Sequence, residues 1–166
     1  MPDVVKASAS MPFAFPHTHL DSHSFVDGGS VWNLDLPGAI QRCKEVVKDD
    51  KDIIVDVVLC SARPNITDFD YNSTTVTKNF IRYDQIRNFY GSLSDYCEVK
   101  RGFPEINFRY VVGPEEILPT QSFPLVFDHD EMQRMIKLGE IEGKKVIDGS
   151  QNWLQKYLAE YDDVIY

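Results

Sequence analysis

Apolar residues fall into two rhythms along this chain, and each rhythm predicts its own element. Ile40, Cys43, Val46 and Val47 recur at helical spacing, with Arg42, Lys44, Glu45 and Lys48 between them, so a helix is predicted from Pro37 to about Lys48. Pro37 suits its first turn, where the missing N–H costs nothing. Asp52 to Cys60 is a nearly continuous apolar run rich in Ile and Val. It predicts a strand covered on both faces, interrupted only by Asp56, which marks a sheet edge or faces a partner. From Lys78 to Tyr96, Phe80, Tyr83, Ile86, Phe89, Tyr90, Leu93 and Tyr96 form an aromatic stripe every three or four residues, read as the core face of an amphipathic helix. Ile106 to Val112 alternates as a strand and stops at Gly113-Pro114.

Two more helices follow. Asp128 with Glu131 makes a capping-box variant ahead of Met132, Met135, Ile136 and Leu138. Gly139 and Gly143 predict an end or a close approach there. Ser150 caps a last helix bearing Trp153, Leu154, Tyr157 and Leu158. The segments 66–77 and 115–124 read as loop. Near the start, the small residues Ala7-Ser8-Ala9-Ser10 precede Pro12 and Pro16, which separate a helix end from an extended segment carrying Phe13 and Phe15.

Phe25-Val26-Asp27-Gly28-Gly29-Ser30 reads as a buried strand running into a glycine turn that presents Asp27. A carboxylate held so can be a base, a metal ligand or a helix cap. With the helix from Pro37 and the strand at Ile53, this strand predicts a βαβ unit with parallel pairing.

At 166 residues, 43% hydrophobic, the chain is large enough for one domain with a real core, and no linker or internal repeat divides it. Net charge is 17 − 26 = −9, which disfavours nucleic acid as a partner. The longest apolar run is too short to span a bilayer. Cys43, Cys60 and Cys97 are odd in number and form no CxxC pair. They read as small hydrophobes in a reducing compartment. With no signal-like segment in Met1–Ser10, this favours an intracellular location. On that reading Asn65-Ile66-Thr67 and Asn72-Ser73-Thr74, which match glycosylation acceptors, carry no weight.

His17, His19, Asp21 and His23 stand at alternate positions, and on a strand alternate residues share a face. The pattern is similar to the His-x-His-x-Asp-His motif of metallo-β-lactamases, with one extra residue before the last histidine, and to the His-x-His of amidohydrolases. It offers a zinc-binding module as one reading; a histidine-rich edge strand or loop without metal is the other.

A longer ordered set carries a second resemblance. Ala7-Ser8-Ala9-Ser10-Met11-Pro12, Phe15-Pro16, Phe25-Val26-Asp27-Gly28-Gly29, Asn33 and Ala39-Ile40 stand in this order. Together they resemble the second half of the patatin-like phospholipase domain, best over residues 4–61. The resemblance implies a partial three-layer α/β/α fold, with a mostly parallel sheet and flanking helices over 1–166. It implies lipid acyl ester hydrolysis by a serine–aspartate dyad without a cofactor, with Asp27 as catalytic residue and Gly28 and Gly29 shaping its turn. The family's serine sits in Gly-x-Ser-x-Gly and its oxyanion hole in a glycine-rich loop. This sequence holds neither: Gly139 and Gly143 have the spacing but no serine between them. The chain thus reads as the C-terminal half of such a domain, inactive alone. Its expected partners are a lipid or acyl ester substrate once completed, and a protein covering an exposed sheet. A non-catalytic assembly subunit derived from a lipase is the alternative.

Overall fold

The computed structural model describes residues 2–12, 14–64, 74–116, 118, 127–150 and 153–165, and the side chains as far as 161. Phe13, Asn65-Ile66-Thr67, Asn72-Ser73, most of the 115–124 segment and the residues just after Ser150 lie outside that set. The fold is mixed α/β and 55% helical, with five α-helices and two two-stranded sheets among the described residues. It divides into two compact units, Met1–Asp35 and Leu36–Tyr166.

In the first unit, α1 (Pro2–Ser8) starts on a proline, which fits a first helical turn, and buries Ala7. β1 (Thr18–Leu20) and β2 (His23–Phe25) form an antiparallel hairpin in which Thr18 faces Phe25 and Leu20 faces His23. The chain reverses at Asp21-Ser22, where Asp21 takes φ 54°, a conformation that aspartate tolerates better than most residues. Phe25 therefore belongs to a hairpin and not to a βαβ unit. Nor is its strand buried: all three residues of β2 are exposed. Strands this short leave only Thr18 of β1 fully covered.

In the second unit, β3 (Ile54–Val58) pairs in parallel with β4 (Asn107–Val112), with an irregularity between Val55 and Asp56. The ladder extends through Asn107 N–H to Ile53 C=O (3.1 Å) and Leu59 N–H to Val112 C=O (2.8 Å). Parallel strands need a long crossover, and α3 (Val76–Gly102) supplies it. The parallel βαβ unit is therefore β3–α3–β4, and the one expected from Phe25, the helix at Pro37 and the strand at Ile53 does not form. β3 is not covered on both faces: Ile54 is 52% and Val58 69% exposed. Asp56 finds its partner on the neighbouring strand, where Arg109 Nε donates to Oδ1 at 3.0 Å and Nη2 to Oδ2. This bond to Arg109 holds the Asp56 carboxyl below its usual range.

α3 begins with Thr75, whose hydroxyl accepts the Lys78 N–H. Its aromatic stripe does not stay on one face. A step of three residues turns about 60° short of a full circle, so by the end of the row Phe80 and Tyr96 stand about 160° apart around the helix. Phe89, Leu93 and Tyr96 are buried, while Phe80 is 67% exposed and Tyr83 also faces solvent.

α2 (Leu36–Lys44) buries Leu36 and Ile40 and ends before Val46, which is exposed, as is Cys43. Cys60 is exposed too, and only Cys97 is buried, so two of the three cysteines are not core residues. α4 (His129–Ile147) is capped as expected: Asp128 Oδ1 accepts from Asp130 N–H and Glu131 N–H at 3.1 and 3.0 Å. It runs straight through Gly139 and Gly143, where an added Cβ would meet nothing. Its buried residues are Glu142 and Val146, whereas Ile136 is exposed. Lys145 Nζ lies 2.7 Å from Glu142 Oε1, giving the buried carboxylate a charged partner.

α5 (Trp153–Ile165) closes the core. Trp153 stacks on the fully buried Phe89, ring centroids 6.2 Å apart, and its indole N–H reaches the Gly113 carbonyl at 3.2 Å. Gly113 is needed there, because a Cβ would stand 2.9 Å from Leu154 Cδ2. Phe89→Ala is expected to destabilise the protein by about 3–5 kcal/mol, read by urea unfolding.

Tyr157, over whose ring the Arg63 guanidinium sits at 4.4 Å, has its hydroxyl 3.4 Å from that of Tyr90. Burial first, then this hydrogen bond, pushes its pKa up to about 12 from 10.0. The folded state keeps this proton longer than the unfolded state. The contribution is therefore present below pH 10 and is lost as pH rises towards 12. Tyr157→Phe is expected to remove that part of the alkaline loss of stability, and to delete one late-titrating tyrosine from the absorbance titration.

Candidate functional site

The first unit is tied together by one serine. Ser10 is buried, and its hydroxyl bonds the Lys6 carbonyl in α1 at 2.8 Å and the Thr18 hydroxyl in β1 at 2.7 Å. Its own carbonyl accepts the Asp27 N–H at 2.9 Å. Helix, hairpin and the Asp-Gly-Gly segment thus converge on the Ala-Ser stretch. Small residues suit this close approach, because larger side chains would hold the backbones apart.

After β2 the chain enters a single 3₁₀ turn, Gly28–Ser30, with Asp27 as its N-cap. Asp27 is half-buried, and its Oδ1 accepts the Gly29 N–H at 2.7 Å. The turn is reinforced by Ser30 N–H to Asp27 C=O and by Trp32 N–H to Gly28 C=O. Neither glycine is there for a left-handed backbone: among the described residues Gly149 is the glycine with positive φ. Space is tight at Gly29. A Cβ on it would stand 3.0 Å from Asn33 Oδ1 and 3.1 Å from Asp27 Oδ1, whereas one on Gly28 would meet nothing. The carboxylate therefore acts as a cap through Oδ1.

The histidines are separated by the same hairpin. His19 lies opposite Ser24 and His23 opposite Leu20, so the two side chains fall on opposite faces. His19 Nδ1 bonds Ser24 Oγ at 2.8 Å and His23 Nδ1 is 3.3 Å from Ser22 Oγ. Among the described residues no three His, Cys, Asp or Glu side chains are grouped to hold a metal. The alternate spacing of His17, His19, Asp21 and His23 failed to assemble because the chain reverses at Asp21 instead of continuing as one strand.

Comparison with protein-family models, with curated proteins and with solved structures finds no match for this chain. No helix among the described residues is long and apolar enough to cross a membrane. Within the second unit, Lys100 and Arg109 share the lining of a cavity. Nothing in the sequence pointed to it, since Arg109 lies in a short strand and Lys100 in the last turns of α3.

Gly29→Ala is expected to cost about 1–3 kcal/mol by crowding both oxygens. Gly28→Ala is expected to be neutral or to stabilise by up to about 1 kcal/mol, since its backbone already suits alanine. Thermal unfolding of the two variants side by side measures the difference.

Proposed function

We propose that this chain supplies the aspartate of a patatin-like lipid acyl ester hydrolase whose nucleophilic serine is provided outside the residues described. The supporting observation is that Ser10 is brought onto the Asp27 turn, where Gly29 and Asn33 pack beside the carboxylate. These are the positions on which the resemblance rests. In a dyad the serine hydroxyl attacks the ester carbonyl as a carboxylate takes its proton, and backbone N–H groups hold the oxyanion. With Oδ1 of Asp27 fixed by the Gly29 N–H, Oδ2 is the atom to take that proton. On this reading the chain belongs to a three-layer α/β/α domain, and the parallel pair β3–β4 is part of a larger sheet.

A second reading keeps the fold and drops the chemistry: a non-catalytic assembly subunit in which Asp27 is only a cap. The uncovered β3 side chains Ile54 and Val58 favour it, since parallel sheets are ordinarily buried on both faces. Substitution at Asp27 separates the two. Asn keeps the cap acceptor and removes the base, while Ala removes both.

The purified chain is expected to show no hydrolysis of p-nitrophenyl butyrate or phosphatidylcholine; Asp27-dependent turnover by it alone would count against the reading. Tagged chain recovered from its own cells and treated with a fluorophosphonate probe provides the positive test. A labelled serine partner is expected, with phosphatidylcholine hydrolysis that falls about 10³-fold or more with Asp27→Asn. Hydrolysis indifferent to that change, or a recovered complex without a labelled serine, leaves only the assembly role. Asp27→Ala is expected to cost about 0.5–2 kcal/mol of stability under either reading.

A further inference from the structure

Three of the eight tyrosines and one of the two tryptophans gather where α3 meets α5. Trp153, Tyr157 and Tyr161 follow one another at four-residue steps on α5, so they stand on one face of the helix. Their rings form a stair. Centroids are 6.3 Å apart from Trp153 to Tyr157 and 5.9 Å from Tyr157 to Tyr161. Tyr90 of α3 closes the group, its ring 6.1 Å from that of Tyr161 and its hydroxyl 3.4 Å from that of Tyr157. All four are half-buried, whereas Phe89, in ring contact with Trp153, Tyr157 and Tyr90, has no exposure.

Packing by itself asks only for apolar rings, and Phe89 meets that need. The other four are the ring types that give up an electron; a phenyl ring does not. At neutral pH a phenol is oxidised more easily than an indole, so a hole on Trp153 runs downhill to Tyr157. The Arg63 guanidinium, 4.4 Å from the centroid of the Tyr157 ring, opposes a lasting electron deficit there and sends the hole on. The Tyr157 hydroxyl donates to that of Tyr90, which gives its proton a way out as the electron leaves.

We propose that α5 carries a one-electron relay, from Trp153 through Tyr157 to Tyr161 and Tyr90, that leads oxidising equivalents along the helix to its last turns. The oxidant is a small diffusible radical. It takes one electron from the Trp153 indole, whose N–H proton goes to water. The indolyl radical then takes one electron from Tyr157 and one proton from water, which restores the tryptophan. Tyr157 releases its O–H proton by way of Tyr90 and is left as a phenoxyl radical, which Tyr161 or Tyr90 reduces in the same way. The relay is independent of the role of Asp27.

Pulse radiolysis of the full chain carrying Trp32→Phe, with the azide radical as oxidant, tests it, since Trp153 is then the one indole left. The tryptophanyl absorption is expected to decay into the tyrosyl absorption in a first-order step, at the same rate at every protein concentration. Tyr157→Phe keeps the ring and is expected to slow that step about tenfold or more. Tyr83→Phe, at an exposed position on α3, is expected to leave it unchanged. A nitroso spin trap is expected to be recovered on Tyr161 or Tyr90. A rate that rises with protein concentration, a rate indifferent to Tyr157→Phe, or trapping confined to other tyrosines would each overturn the proposal.

Discussion

Parallel pairing of β3 with β4 is the constraint from which the second unit follows. Two parallel strands cannot be joined by a tight turn, so the chain must travel back along the sheet before it pairs again. α3 makes that return. At 27 residues it rises about 40 Å, roughly twice the length of either strand. Its later turns pack on the strands and on α5, and its first turns carry Val76, Phe80 and Tyr83 in solvent. The core then forms where α3 and α5 meet, around Phe89, Leu93 and Leu154, all fully buried. The cavity beside Lys100 lies along the same seam, where a helix, a strand and a second helix cannot close completely on one another.

The first unit is held by a different kind of bond. It has little apolar core of its own; Ala7 is its one buried hydrophobic residue among those described. A buried serine joins its pieces through three hydrogen bonds instead. Buried polar groups left without partners cost about 1–3 kcal/mol, so this network specifies one arrangement more sharply than a few methyl groups could. Asp27 is a dependent part of it, since its backbone N–H is fixed by Ser10 and its carboxylate by Gly29. A side chain held from both ends is positioned well for chemistry and equally well for capping.

Exposed apolar surface connects the two readings of function. Ile54 and Val58 lie open on a two-stranded parallel sheet, an arrangement that soluble proteins ordinarily cover with helices or further strands. The Asp56–Arg109 pair sits on the same sheet and gives it a charged bridge between its strands. A covering surface would have to accommodate that bridge as well as the aliphatic side chains.

Local signals in the sequence determined most element positions here. The Asp128 cap, the strand at Ile54–Val58, the alternating strand before Gly113-Pro114 and the helices around Phe89 and Trp153 are each dictated by neighbours within a few residues. The turn and cap at Asp27 were partly legible, because two glycines after an acid free the backbone to turn and let the carboxylate reach a nearby N–H, whereas the close approach at Gly29 was not. Tertiary structure alone decided which strand pairs with which, and so turned the histidine row into a hairpin with its side chains on opposite faces. It also decided that Phe80 faces water while Tyr96 is buried, and that Lys100 and Arg109 share one cavity. The reason is physical: spacing fixes directions around a single element, whereas burial and pairing depend on partners dozens of residues away.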